Sequence, residues 1–500
     1  MRTGWQRPSP FPRCADGYVR PVTIQYRYRV MITYIVGLFM TIIDGTAVNV
    51  ALPTLARDFD VPSTDIEWVA VSYLLALAAV IPVAGWLGDR YGTKRMFTLA
   101  LALFVSASVL CGLSQTLDQL IAFRVLQGIG GGLITPIGSA MLFRAFPLAE
   151  RSTATVGVLS VAVVAPAVGP VLGGVIVDNI SWHWIFFINL PIGVVAMTLA
   201  LAWLREERQD EAGGFDLAGL VLSAVGVSTL IYALSTGPEA GWLATTTVTS
   251  FVVGVICVVA LVVVELRHPH PMLALRLFQD RLFRTINISA AMVYAGFFGW
   301  IFVLPLYMQT LRGFSATTSG LVQAPQAVAI FLVSNLLGKR VYRAVGPRRL
   351  MVVGSIATAA FTGGFVLVDL DTPLWMIGGG AFLRGAAVGL VFVSIQTGVY
   401  ATVSNAETGR ATSVFNTQRQ ISFATGVALA ATVIASRVSS VGGDSAPAIE
   451  RLPAYQWGFF AMGLVMLPAA VTSWFVVDDD VAATRGLTPT DAPVTVPADV

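Results

Sequence analysis

The chain has 500 residues, 56% of them hydrophobic and only 12% charged, with a mean hydropathy of +0.76. Soluble chains carry about 25% charge, so a set of soluble domains is excluded. The small net charge of +3 comes without a basic patch interleaved with base-stacking aromatics, and this argues against a nucleic-acid partner.

The first 29 residues hold six Arg and several Pro. They precede an apolar run too long for a signal-peptide core and without a small-residue cleavage site, so residues 1–29 read as a cytoplasmic tail before an uncleaved first helix. Apolar runs long enough to cross a bilayer follow near 30–53, 66–88, 96–115, 118–143, 153–177, 184–204, 216–236, 244–265, 285–310, 317–338, 349–368, 373–400, 409–435 and 453–477. Fourteen spans put both ends on one side. Most Lys and Arg then fall at those ends and in the loops of that side. The opposite loops hold Arg57, Arg312, Arg437 and Arg451, and Arg124, Arg384 and Arg419 stay inside spans. Under the positive-inside rule both termini are cytoplasmic.

Asp44 lies near the end of the first run, in Ile43-Asp44-Gly45-Thr46-Ala47-Val48-Asn49. An intramembrane carboxylate costs about 2.5 kcal/mol or more near a helix centre, so it is a default candidate for proton or cation work. The plain alternative is a polar residue at a helix end, bonded to its neighbours. Arg124 reads either as a partner for backbone carbonyls or as a cation that tunes the pKa of such an acid.

Two charged linkers interrupt the apolar runs. Arg205–Gly214 ends in Gly-Gly. In Leu266–Arg284, Leu273, Leu277, Phe278 and Leu282 are spaced beside Arg276, Asp280, Arg281 and Arg284, which predicts a helix lying in the membrane interface. The chain divides accordingly: residues 30–204 form a six-helix bundle, 205–284 two inserted helices with cytoplasmic linkers, and 285–477 a second six-helix bundle. Residues 478–500, opening on Asp478-Asp479-Asp480, read as a disordered tail. The two six-span segments look related. Gly85-Trp86-Leu87-Gly88-Asp89-Arg90-Tyr91-Gly92-Thr93-Lys94-Arg95 has a counterpart in Gly338-Lys339-Arg340 to Gly346-Pro347-Arg348-Arg349, where Arg343 stands near the place of Asp89. Phe123-Arg124 has a counterpart in Leu383-Arg384-Gly385.

Cys14, Cys111 and Cys257 form no pair, and His183, His268 and His270 are too scattered to hold a metal. No phosphate loop or nucleophile elbow is present. The sequence therefore implies no enzyme, cofactor or metal.

These residues together resemble the major facilitator superfamily, and within it the fourteen-helix drug:proton antiporters of the EmrB/QacA type. The segment 85–95 resembles the loop 2–3 signature, and Leu120 to Gly132 resembles the span-four signature. Ala165-Pro166-Ala167-Val168-Gly169-Pro170-Val171-Leu172-Gly173-Gly174 resembles the antiporter signature of span five. Asn416-Thr417-Gln418-Arg419-Gln420 resembles the span-thirteen motif, and Trp182 to Gly193 the span-six entry, with His183 where Arg is more usual.

The resemblance implies an all-α membrane protein, two six-helix bundles plus two inserted helices, working as a monomer in the inner membrane of a bacterium. It implies proton-coupled export of small amphiphiles by alternating access. The alternatives are a dedicated exporter of one metabolite or a non-transporting sensor. Asp44 and Arg124 would couple to protons. Gly85, Asp89, Arg90, Gly92, Lys94 and Arg95 would gate, with Asp89 meeting a helix N-terminus or an Arg of the other half. Pro166, Gly169, Pro170, Gly173 and Gly174 would bend span five. Asn49, Gln127, Gln326, Arg384, Asn416, Arg419 and Gln420 are the candidates for the cavity and its substrate.

Overall fold

The computed structural model describes residues 24–481 except 62–65, 67, 209–215, 269–270, 272, 335–337, 405 and 478. The expected N-terminal tail and the tail after residue 481 lie almost wholly outside these, as do Cys14 and His270. The described chain is helical throughout. A helix occupies each apolar run: α1 Tyr26–Asp58, α2 Trp68–Tyr91, α3 Thr93–Gly112, α4 Leu117–Ala145, α5 Arg151–Asn179, α6 His183–Trp203 (broken at Ile188), α7 Leu217–Ala240, α8 Thr245–Arg267, α9 Arg281–Leu306, α10 Ala316–Leu332, α11 Pro347–Gly364, α12 Leu374–Gly398, α13 Thr408–Ser440 and α14 Ala448–Ser473. A single π turn, Tyr307–Leu311, extends α9.

Among the described residues, twelve of these helices are long and apolar enough to span a bilayer; α5 and α10 are the two that are not counted. Helix α10 has 17 residues, about 25 Å at 1.5 Å per residue, slightly under the ~30 Å hydrocarbon thickness. Helix α5 has 29 residues, but its described apolar part is Thr153–Ala162.

Local chemistry sets the helix ends. Thr116, Asp216, Asp280 and Ser315 accept a backbone N–H from the first turns of α4, α7, α9 and α10, which satisfies donors that an uncapped helix leaves open. The repeat is visible in the backbone: Gly92 before α3 and Gly346 before α11 both take positive φ, +102° and +86°. Gly92 is further constrained because a Cβ there would run into the Glu206 carboxylate. That carboxylate accepts from the Lys94 backbone at 3.1 Å and pairs with Arg95 at 3.5 Å. Gly92→Ala is expected to lose about 1–2 kcal/mol, read as a lower unfolding temperature in detergent, while Gly364→Ala in open space leaves it unchanged.

Helices α1 to α6 pack on one another, as do α9 to α14, and α2 meets α13 while α5 meets α10 between the two sets. Helix α7 lies against both α2 and α13. Ser228 donates to Leu75 O (3.1 Å), Trp242 Nε1 donates to Thr432 Oγ1 (2.8 Å), and Tyr232 stacks on Trp68. Helix α8 is outermost, with Val248, Phe251, Val252, Val255, Ile256, Val259, Val262 and Val263 exposed, as suits a lipid-facing helix.

The linker into α9 departs from expectation. Among its described residues it holds a single 3-10 stretch, Leu275–Gln279. Leu273, Leu282 and Phe283 are buried in a core cluster, with Leu277 and Phe278 packed against it, and Glu265 accepts from the Leu273 N–H at 3.2 Å. Apolar spacing that fits a membrane surface fits a protein groove equally well, and here the groove takes it.

Candidate functional site

Asp44 sits near the middle of the 33-residue α1, which runs on through Pro53 to Asp58, and near the end of that helix's apolar stretch, Tyr26–Val48. Its side chain is 0% exposed. Arg124 of α4 donates Nη1 to Asp44 Oδ2 at 2.7 Å. Gln127, on the same face of α4 at i+3, donates to Asp44 Oδ1 at 2.8 Å and accepts from Arg124 Nη1 at 2.7 Å. Asn189, beside the break in α6, donates to Oδ1 at 2.7 Å and to Ser108 Oγ of α3 at 2.9 Å. Helix α2 completes the cage: Arg124 Nε donates to Val69 O at 3.0 Å, and the guanidinium lies 4.1 Å over the Tyr73 ring.

A buried ion pair repays its desolvation only when further hydrogen bonds satisfy both ions, and this one has them. A proton on Asp44 would remove the charge that holds Arg124. In this conformation the carboxylate is closed off from solvent. Helix α4 can come this close because it is glycine-rich. A Cβ at Gly128 would lie 2.5 Å from Tyr73 O, one at Gly132 2.6 Å from Leu77 O, and one at Gly130 2.7 Å from Phe104 N. Gly169 and Gly173 of α5 lie against Thr46 and Ala47 of α1, one turn from Asp44. Gly174 faces open space; Pro166 and Pro170 belong to the same helix, their side chains outside the described set.

Asp89 pairs with Arg144 of α4 at 2.7 Å and lies against the first turn of α13: a Cβ at Gly409 would be 2.7–2.8 Å from both Asp89 carboxylate oxygens. A carboxylate at a helix N-terminus is stabilised by the exposed N–H groups and the dipole. The arginine bonded to Asp89 is thus in its own set and the helix N-terminus in the other, where the charge of Arg410 of α13 also acts on Asp89. Around it, Gly85 N–H donates to Ser413 Oγ (2.8 Å), Thr412 Oγ1 to Pro136 O (3.3 Å), and Arg151 Nη1 to Tyr400 O (2.6 Å). The two sets are closed together at this end. Lys94 Nζ donates to Leu201 O at 2.7 Å, tying the turn to the end of α6, while Arg90 is exposed.

Arg384 of α12 is fully buried and has no carboxylate partner among the described residues. It donates Nε to Thr362 Oγ1 at 2.9 Å and Nη2 to Phe297 O at 3.3 Å, donates to Gln326 Oε1, and lies 4.1 Å over the Trp300 ring. Where Arg124 meets Asp44 on α1, Arg384 meets Trp300 on α9. Asn416 and Arg419 line a different space, a cleft of about 20 Å³ bounded also by Tyr34, Ser139, Phe143, Thr155, Val158, Gln396, Tyr400 and Phe415. The cavity candidates therefore separate. Gln127 belongs to the Asp44 cage, Gln326 and Arg384 to a second buried cluster, and Asn416 and Arg419 to the cleft. Gln420 does not line the cleft, and the side chain of Asn49 is outside the described set.

Asn189, Ser108 and Tyr73 were not among the expected site residues. Asn189 carried a signal, an amide in an apolar run just before Pro191; Ser108 and Tyr73 carried none.

Residues 34–427 match the model of the Major Facilitator Superfamily. The multidrug export protein EmrB of Escherichia coli (strain K12) is 33% identical over 411 residues, 80% of this chain and 79% of that protein. The multidrug transporter protein MdtP of Bacillus subtilis (strain 168) is 31% identical over 432 residues, 85% and 79%. The crystal structure of the human organic anion transporter MFSD10 superposes with a TM-score of 0.66 at 14% identity, covering 90% of this chain and all of that one, a likeness of fold alone. The chain belongs to the Major Facilitator Superfamily, a family of membrane transporters rather than enzymes, and stands within it among the relatives of EmrB and MdtP.

Proposed function

We propose that the chain is a proton-coupled secondary exporter of small amphiphilic molecules, multidrug in the manner that the names of EmrB and MdtP state for those proteins. The observation that carries the reading is the sealed Asp44–Arg124 pair, held by amides from α4 and α6. Proton uptake at Asp44 exchanges one set of partners for another and so links a chemical gradient to helix packing.

Helices α1–α6 and α9–α14, residues 30–204 and 285–477, act as two rocking halves around the cleft, and 205–284 form an inserted pair. Helices α5 and α10 are the remaining two of fourteen spans, and both termini face the cytoplasm by the loop charge. The Asp89 end is then the cytoplasmic gate, shut in this conformation and released when Asp89 leaves the α13 N-terminus. The Gly169–Gly173 contact lets α5 shift against α1 next to the coupling acid. One chain is the transport unit, in the inner membrane of a bacterium.

The test is efflux of ethidium from proteoliposomes containing the purified chain. An imposed proton gradient should drive it at least ten times faster than no gradient, and nigericin with potassium should return it to baseline. Flux indifferent to the gradient would sink proton coupling.

A further inference from the structure

The hydrogen bonds that lead from Asp44 into α6 all run one way. Asn189 Nδ2 donates to Asp44 Oδ1 at 2.7 Å and to Ser108 Oγ at 2.9 Å, and the Ser108 hydroxyl gives its single hydrogen to Phe186 O at 2.8 Å. Asp44, Ser108 and Asn189 are all fully buried. Phe186 belongs to the last turn before the break at Ile188. The chain of bonds thus links a carboxylate on α1, through α3, to the point where α6 is interrupted.

An ionised carboxylate only accepts, and this fixes the amide with its N–H₂ toward Asp44. The orientation leaves Asn189 Oδ1 buried without a hydrogen-bond partner among the described residues, and such orphans are few in folded proteins. A protonated Asp44 donates, so an O–H at Oδ1 would meet the N–H₂ head-on. Turning the amide over puts the Asn189 oxygen in the place of its nitrogen. That oxygen then accepts from Asp44 and from Ser108, whose hydrogen leaves Phe186 O. The N–H₂ takes the place where the oxygen now lies unbonded. Neither orientation satisfies every group, and the charge on Asp44 decides between them.

Gln127 cannot make the same turn. Its Oε1 accepts from Arg124 Nη1 at 2.7 Å while its Nε2 donates to Asp44, and inversion would set an N–H₂ against the guanidinium. The charged and titratable groups that act on Asp44 are Arg124 of α4, Tyr73 of α2 and Cys111 of α3; α5 brings only Gly169 and Gly173 against the adjoining turn of α1. Among the described residues, Asn189 is therefore the amide on Asp44 that is able to invert.

We propose that Asn189 is a positioning residue that reads the charge on Asp44: its amide inverts when Asp44 takes a proton, and the inversion releases the tie from Ser108 to Phe186 O at the break in α6. The proposal rests on the exporter reading and names the contact through which proton uptake reaches helix packing.

The test is infrared difference spectroscopy between alkaline and acid buffer, on the full chain in lipid nanodiscs with an isotope label in the asparagine side-chain carbonyls. One labelled carbonyl should move to lower frequency in acid, because its oxygen gains two hydrogen bonds, and that band should be missing in Asn189→Leu. The second readout is the ratio of gradient-driven to downhill ethidium flux in proteoliposomes. Ser108→Ala, which keeps the bond between Asn189 and Asp44, should lower the ratio at least fivefold, whereas a merely structural defect lowers both fluxes and leaves their ratio alone. Parent spectra in which no labelled carbonyl shifts would overturn the proposal, and this measurement needs no variant to fold. So would an undiminished flux ratio in a folded Ser108→Ala chain. Gradient-driven efflux by a parent without the carbonyl shift would sink the role of Asn189 alone. A shift assigned to Asn189 in a chain with no gradient-driven flux would sink the exporter reading alone.

Discussion

Asp44→Asn should abolish gradient-driven efflux and also lower the unfolding temperature of the purified protein. The substitution removes the only carboxylate that Arg124 holds among the described residues and leaves a fully buried guanidinium without one. It also sets an amide N–H₂ where Gln127 and Asn189 already donate. Breaking a buried pair from one side costs about 3–5 kcal/mol, so stability and transport fall together. The double variant Asp44→Asn/Arg124→Gln separates them. With the stranded charge gone, the unfolding temperature should recover by at least half of the loss, while coupled efflux stays absent. Efflux at the parental rate in Asp44→Asn would move proton coupling to other groups.

Gly85→Val should hold the Asp89 end open. A Cβ at Gly85 would overlap the Gly409 carbonyl and approach Ser413 Oγ to 2.8 Å, and the obstacle is backbone that cannot turn aside. Overpacking of this kind costs about 1–3 kcal/mol, roughly a 5- to 150-fold shift away from the closed state. Thiol labelling of Ser139→Cys, on the cleft wall, measures it. Labelling should accelerate in Gly85→Val and stay at the parental rate in Gly379→Val, where the added side chain meets nothing within 4 Å. Unchanged labelling in both would show that the α2–α13 contact does not gate the cleft.

Helix positions were legible because each span is a continuous apolar run. What the runs did not disclose was where the helices end. The first reads as ending near Pro53, yet α1 continues to Asp58, so Asp44 lies near the middle of the helix while staying near the end of its apolar stretch Tyr26–Val48. A proline forfeits one ladder bond, which neighbouring helices can offset. The pairing of Asp44 with Arg124 was invisible across 80 positions, although two opposite charges inside apolar spans have few other remedies. Asn189 escaped notice because a neutral amide does not announce itself in composition. The internal repeat anticipated Arg384 opposite Arg124 but not its surroundings, since the place of the acid is taken by an aromatic ring, Trp300, and nothing in the repeat marks a missing partner. The linker before α9 was read onto the membrane surface because amphipathic spacing does not say which apolar phase receives it.

The position of α7 has a consequence for entry from the lipid phase. Two lateral seams separate the helix sets, one at α2 and α13, the other at α5 and α10. The first is roofed: α7 is bonded to α2 through Ser228, the turn just past it is bonded to α13 through Trp242, and Ala78, Val227, Ile231 and Ala424 close the space beneath it. A molecule dissolved in the bilayer meets a wall there. Helices α7 and α8 thus make the molecule one-sided toward lipid, covering the α2–α13 seam and not the α5–α10 seam.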